Sequence, residues 1–157
     1  MELAKLQNGS DIRGVASEGI AGQAVNLTDD AVFQLTAGFI CWLQKRLGKE
    51  KVSIGVGRDS RISGPRILEN VKRAAEYCGV HLYDTGLAST PAMFMSTITD
   101  GFSYDGSIMI TASHLPFNRN GLKFFVKEGG LESSDIKELI ALAEEKAYQK
   151  GEGGSVE

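Results

Sequence analysis

Ser107-Ile108-Met109-Ile110-Thr111-Ala112-Ser113-His114-Leu115-Pro116-Phe117-Asn118-Arg119-Asn120-Gly121-Leu122-Lys123 is the stretch on which the fold turns. Its first six residues are nearly all apolar, and a short apolar run of this kind reads as a strand buried on both faces. Such a strand belongs near the centre of a sheet. The run breaks into a polar loop from Ser113 to Gly121, after which Leu122-Lys123-Phe124-Phe125-Val126-Lys127 forms a further strand. A connection of modest length suits an antiparallel partner, because a parallel return needs a longer crossover. Within the loop, Asn120-Gly121 favours a tight turn, glycine being free to take positive φ. That turn would bring Lys123 back towards Ser113.

Working outward, the pattern alternates helix and strand periods. Val52 to Gly57 is a strand that delivers the charged loop Arg58-Asp59-Ser60-Arg61, and Val80 to Thr85 is another. Between them Ser63-Gly64-Pro65 starts a helix with Ile67, Leu68, Val71, Ala74, Ala75 and Cys78 on one face, ended by Gly79. Thr28 caps an earlier helix, Ala31 to Leu47, with Asp29 and Asp30 in the dipole-favoured first turn and Gly48 as its left-handed stop. Thr90-Pro91 opens a third helix with Met93, Phe94, Thr97 and Ile98 inward. Ser133 or Ser134 caps a fourth, with Ile136, Leu139, Ile140 and Ala143 on one face, after the turn Glu128-Gly129-Gly130. Residues 1–27 read as an entry loop with an edge hairpin. The expected fold is α/β: a three-layer α/β/α domain over residues 1–150, with a four-stranded, mostly parallel mixed sheet and one antiparallel strand. Residues 151–157 read as a flexible tail or the stump of a linker.

Composition excludes several functions. Lys+Arg 17 against Asp+Glu 20 leaves a net charge of −3, no footprint for nucleic acid or anionic lipid. No apolar run approaches the ~20 residues of a membrane helix, and the first residues lack the pattern of a secretory signal. Cys41 and Cys78 lack metal-ligand spacing and read as buried reduced thiols of a cytoplasmic protein. The 19 glycines among 157 residues exceed the usual ~7% and suggest tight ligand loops.

Ligands of parallel α/β sheets sit outside the carboxyl ends of the strands. That rule gathers Arg58-Asp59-Ser60-Arg61, Gly86-Leu87-Ala88-Ser89-Thr90 and Ser113-His114 on one rim. Ser113 follows a rigid strand with its hydroxyl towards solvent, yet serine needs a base or a strong electrophile. His114 is its neighbour in sequence, and adjacent side chains on extended backbone point apart. Lys123 can bring a point charge to a phosphate. The bland alternatives are a serine that ends a strand, a histidine that bonds its loop and a solvated lysine.

The stretch Thr111 to Lys123 resembles the phosphoserine motif of the α-D-phosphohexomutases, Thr-Ala-Ser-His-Asn-Pro followed by Asn-Gly and Lys. Three more segments agree in order: Gly9-Ser10-Asp11-Ile12-Arg13-Gly14, Gly57-Arg58-Asp59-Ser60-Arg61-Ile62-Ser63, and Gly86 with Thr90-Pro91. Leu115 departs from the family's usual Asn and removes a side-chain amide from the loop.

The resemblance implies that Ser113 carries a phosphoryl group and that hexose 1-phosphate and hexose 6-phosphate are interconverted through a bisphosphate. It implies that His114, Lys123 and Arg13 flank that serine, with Lys123 ranked above His114 as acid/base. Asn120, Gly121, Arg58 and Arg61 would support the loop or the phosphate, while Asp11 would order the Arg13 loop. Mg2+ would be held by the phosphoserine of Ser113 and by acidic ligands of another domain, and hexose 1,6-bisphosphate would act as activator. The expected partners are a hexose phosphate and the remaining domains of the same enzyme, with neither nucleic acid nor membrane. The chain then reads as the first domain of a larger mutase, inactive alone; the alternative is a stand-alone regulatory or interaction domain of the same fold.

Overall fold

The computed structural model describes residues 3–8, 11–16, 25–58, 64–87, 104–111, 119–127, 129–148, 150–151 and 155–156. A 3-10 turn (Leu3–Leu6) precedes β1 (Gln7–Asn8), β2 (Asp11–Val15), α1 (Asp29–Leu47), β3 (Ser53–Arg58), α2 (Gly64–Cys78) and β4 (His81–Leu87). Then come β5 (Gly106–Ile110), β6 (Arg119–Val126), β7 (Gly129–Gly130), α3 (Ser133–Glu144) and β8 (Ser155–Val156).

Among the described residues the strands form one eight-stranded sheet in the order β1-β2-β6-β5-β3-β4-β8, with β7 paired to β6. This corrects the expected four-stranded, mostly parallel sheet. Parallel pairing holds for β3–β4, β3–β5 and β4–β8, whereas β1–β2, β2–β6, β5–β6 and β6–β7 are antiparallel. The undercount has a physical cause. β1, β7 and β8 have two residues each, too few to carry a period, and exist only through their partners. β2 lies in the stretch that reads as an entry loop; its hairpin with β1 is present, and its other edge pairs with β6.

Helix α1 starts at Thr28, whose Oγ1 accepts from the Ala31 amide at 3.2 Å, and stops at Gly48 with φ 66°. It packs between α2 and α3, so these three helices share one face of the sheet. Beneath α1 the core is dense: the Phe39 and Phe124 rings lie 4.6 Å apart, and a Cβ on Gly106 would meet the Phe39 ring at 3.0 Å. The register sets Ile12, Leu122, Ile110, Ile108 and Phe124 on that covered face. β5 is buried along its whole length, as its apolar run predicts. The third helix, read at Thr90-Pro91 with Met93, Phe94, Thr97 and Ile98, falls outside the described residues. The cap of α3 is Glu132 rather than a serine: its amide donates to the Asp135 carboxylate at 2.9 Å. After α3, Tyr148 joins Phe33 and Tyr77 in a set of edge-to-face rings, and the Gly151 amide donates to the Tyr77 carbonyl at 2.9 Å.

Candidate active site

β2 and β6 lie side by side, with Ile12 opposite Leu122, Arg13 opposite Gly121 and Gly14 opposite Asn120. Because side chains alternate along a strand, Ile12 and Leu122 enter the core while Asp11, Arg13 and Lys123 emerge on the other face. There they meet. Arg13 Nη2 donates to Asp11 Oδ2 at 3.3 Å, and Lys123 Nζ lies 3.6 Å from the same oxygen. All three side chains are between 18% and 25% exposed, so the cluster is half-sheltered. Arg13 Nε is buried without a hydrogen-bond partner. Two cations against one carboxylate leave a net positive charge, with donors of both kinds still unspent.

The Asn120-Gly121 pair is not a turn. Both residues belong to β6, and Gly121 is needed for close approach rather than for positive φ: a Cβ there would collide with the Ile12 carbonyl oxygen. Lys123 is thus placed by sheet pairing, opposite Met109 of β5. Asn120 is fully buried, and its Oδ1 accepts from the Gly121 amide at 2.9 Å. The Thr111 amide donates to the Gly121 carbonyl at 3.0 Å, which ties the end of β5 to β6 immediately before the serine loop.

Arg58 ends β3 opposite Ile110, so the register sets it on the helix-covered face, across the sheet from Arg13 and Lys123. Its Nε is also buried and unpartnered. Ser113, His114, Leu115 and Arg61, together with Asp59, lie outside the described residues. The sequence reading missed the support behind β2. The Asn26 side chain accepts from the Val15 amide at 2.6 Å, and Arg66 Nη2 donates to the carbonyls of Ala16 at 2.6 Å and Leu27 at 3.0 Å. Arg66 follows Pro65 in a first helical turn, and no local pattern links it to residue 16.

The two cysteines lie away from this face, on α1 and α2. Cys41 and Cys78 are free and buried, and both border a cleft of about 480 Å3 beside the loop that precedes β3. Burial, with a smaller contribution from Cys41, pushes the Cys78 thiol up to about 12; burial also raises Cys41, partly offset by Lys45. Thiols held protonated are poor nucleophiles. Among the described residues no group of three or more His, Cys, Asp or Glu side chains could hold a metal ion. Asp11 is already shared by two cations, so the described residues do not form the near-octahedral oxygen set that Mg2+ requires. Nor is any described helix long and apolar enough to cross a membrane.

Residues 4–150 match the family described as phosphoglucomutase/phosphomannomutase, alpha/beta/alpha domain I. The chain belongs to the phosphoglucomutase/phosphomannomutase family. Similar curated proteins include a phosphoglucomutase of Neisseria meningitidis, 30% identical over 88% of this chain and 27% of that protein. A phosphoglucomutase/phosphomannomutase of Thermococcus kodakarensis is 34% identical over 91% of this chain and 28% of its own length. A phosphoglucosamine mutase of Lactococcus lactis is 37% identical over 78% of this chain and 26% of that protein. The chain therefore spans little more than a quarter of these relatives, in the region of the family's first domain. A solved phosphoglucomutase/phosphomannomutase family protein from Burkholderia thailandensis shares the fold, with a TM-score of 0.77 over 95% of this chain and 31% of that one, at 24% identity.

Proposed function

We propose that this chain is the phosphoserine-bearing first domain of a phosphohexomutase, a phosphotransferase that interconverts hexose 1-phosphate and hexose 6-phosphate. The observation that carries the reading is the placement of Arg13 and Lys123 around one carboxylate on one sheet face, Lys123 opposite Met109 of the strand that precedes Ser113. In the proposed reaction a sugar hydroxyl attacks the phosphorus of phosphorylated Ser113. The bond from phosphorus to the sugar oxygen forms as the bond to Ser113 Oγ breaks, and one proton passes from the sugar hydroxyl to the released serine oxygen. Such a step needs alignment and cationic stabilisation of charge on the phosphoryl oxygens more than covalent machinery. Arg13 offers fork-shaped donors for that charge, and Lys123 a mobile ammonium that can also relay the proton. His114 is the second candidate for the relay, while Asn120 and Gly121 hold the strand that places Lys123; Arg58 and Arg61 support the neighbouring loop.

Mg2+ would bind the phosphoserine oxygens with acidic ligands from a further domain and screen the phosphoryl charge. The residues that read the sugar and its distal phosphate would also come from beyond this quarter of the relatives' length. The isolated 157 residues should therefore accept phosphate without turning substrate over. Intact-mass measurement after incubation with glucose 1,6-bisphosphate tests this. One phosphoryl increment is expected, and it vanishes in Ser113→Ala. Absence of any increment in the folded wild-type chain would leave the regulatory or interaction domain as the better reading.

A further inference from the structure

We infer that Asp11 competes with the phosphoryl group for its cations: its carboxylate faces both Arg13 and Lys123 and sets how tightly they hold an incoming phosphate. The inference rests on the reading of Arg13 and Lys123 as phosphate contacts and goes beyond it, since it gives a negative residue a role at an anion site. Three observations carry it. A single oxygen, Asp11 Oδ2, faces both cations, at 3.3 Å and 3.6 Å. Both separations exceed the 2.7–2.9 Å of a tight charge-assisted bond, so the carboxylate holds the pair loosely. Arg13 Nε remains buried and unpartnered beside it, a donor that Asp11 does not satisfy.

The alternative for Asp11 is a brace that orders β2. A brace and a competitor predict opposite signs. Removing a brace loosens Arg13 and weakens phosphate binding. Removing a competitor raises the local charge by one unit and strengthens it, because a dianion no longer approaches a fixed carboxylate. Asp11 is thus a positioning residue that acts through Arg13 and Lys123, and it lets a site that must pass its phosphoryl group onward release it again.

The test titrates inorganic phosphate into the 157-residue chain at low ionic strength, following the backbone amide signals of Gly121 and Lys123. Asp11→Asn, which keeps shape and loses charge, should bind phosphate roughly three- to ten-fold tighter than wild type. The gain should shrink as salt is raised. Asp11→Glu should stay near wild type, and Asp11→Ser serves as a second neutral variant if the first folds poorly. Wild-type binding that is lost in Lys123→Met yet equal or weaker in both neutral variants overturns the competitor role and leaves the phosphate site standing. A folded wild-type chain that neither binds phosphate nor gains a phosphoryl increment overturns both.

Discussion

The two faces of the β2–β6 ribbon differ sharply in burial and charge. On one, Ile12, Leu122 and Phe124 are at most 2% exposed beneath the helices. On the other, one residue along the same strands, Asp11, Arg13 and Lys123 stand about a fifth to a quarter exposed and charged. A slip of one residue would exchange the two sets, so the register that closes the core also builds the candidate site. Stability and chemistry are specified by alternate letters of the same sequence, and they should therefore be separable by mutation.

The strongest way to test that separation acts on the covered face. Phe124→Ala removes a ring packed 4.6 Å from Phe39, and truncating a buried aromatic costs about 3–5 kcal/mol. The urea midpoint should fall accordingly. A change below about 1 kcal/mol would mean that the core does not close over β6 as described. A second measure sharpens the contrast through pH. The Cys78 thiol is held up at about 12, above its ordinary value of 9.0, chiefly by burial. Above pH 9 the unfolded chain loses this proton while the folded chain keeps it, so stability falls as pH rises through the window from 9 towards 12. The slope from this group is at most about 1.4 kcal/mol per pH unit. Cys78→Ala should flatten that alkaline slope in chemical denaturation run at several pH values; an unchanged slope would assign the loss to other groups.

Much of this arrangement is legible in the sequence, and the exceptions are instructive. Helix α1 announces itself through Thr28, its repeat of apolar residues and Gly48, all local signals, and the structure keeps each one. The apolar run Ser107–Ala112 likewise gives β5 its central place. Asn120-Gly121 misleads, because its turn propensity is local while its pairing with Arg13 and Gly14 is not. Tertiary contact wins: β2 approaches so closely that glycine is required in an extended strand. The same non-local pairing sets Asp11 beside Lys123, more than a hundred positions apart, and no periodicity encodes which strand another will choose. Arg13 and Lys123 are recognisable as residue types within motifs, whereas their shared carboxylate is visible only once the register is known.

The smallest expected effect on stability is the most informative about the charged face. Lys123→Met keeps the aliphatic stem against the sheet and removes one ammonium from a half-sheltered ion pair. Such pairs contribute about 0–1 kcal/mol, since solvent screens them, and the freed Asp11 still accepts from Arg13. Stability should hence fall by no more than about 1 kcal/mol. Phosphoryl uptake on Ser113 from glucose 1,6-bisphosphate, followed by intact mass over time, should slow by about 100-fold or more, the usual cost of losing a positioned acid/base. If the variant instead unfolds as readily as Phe124→Ala, Lys123 belongs to the framework and the division of labour between the faces fails. If it stays folded and takes up phosphate at the wild-type rate, the relay passes to His114, and the face built by β2 and β6 contributes charge without moving the proton.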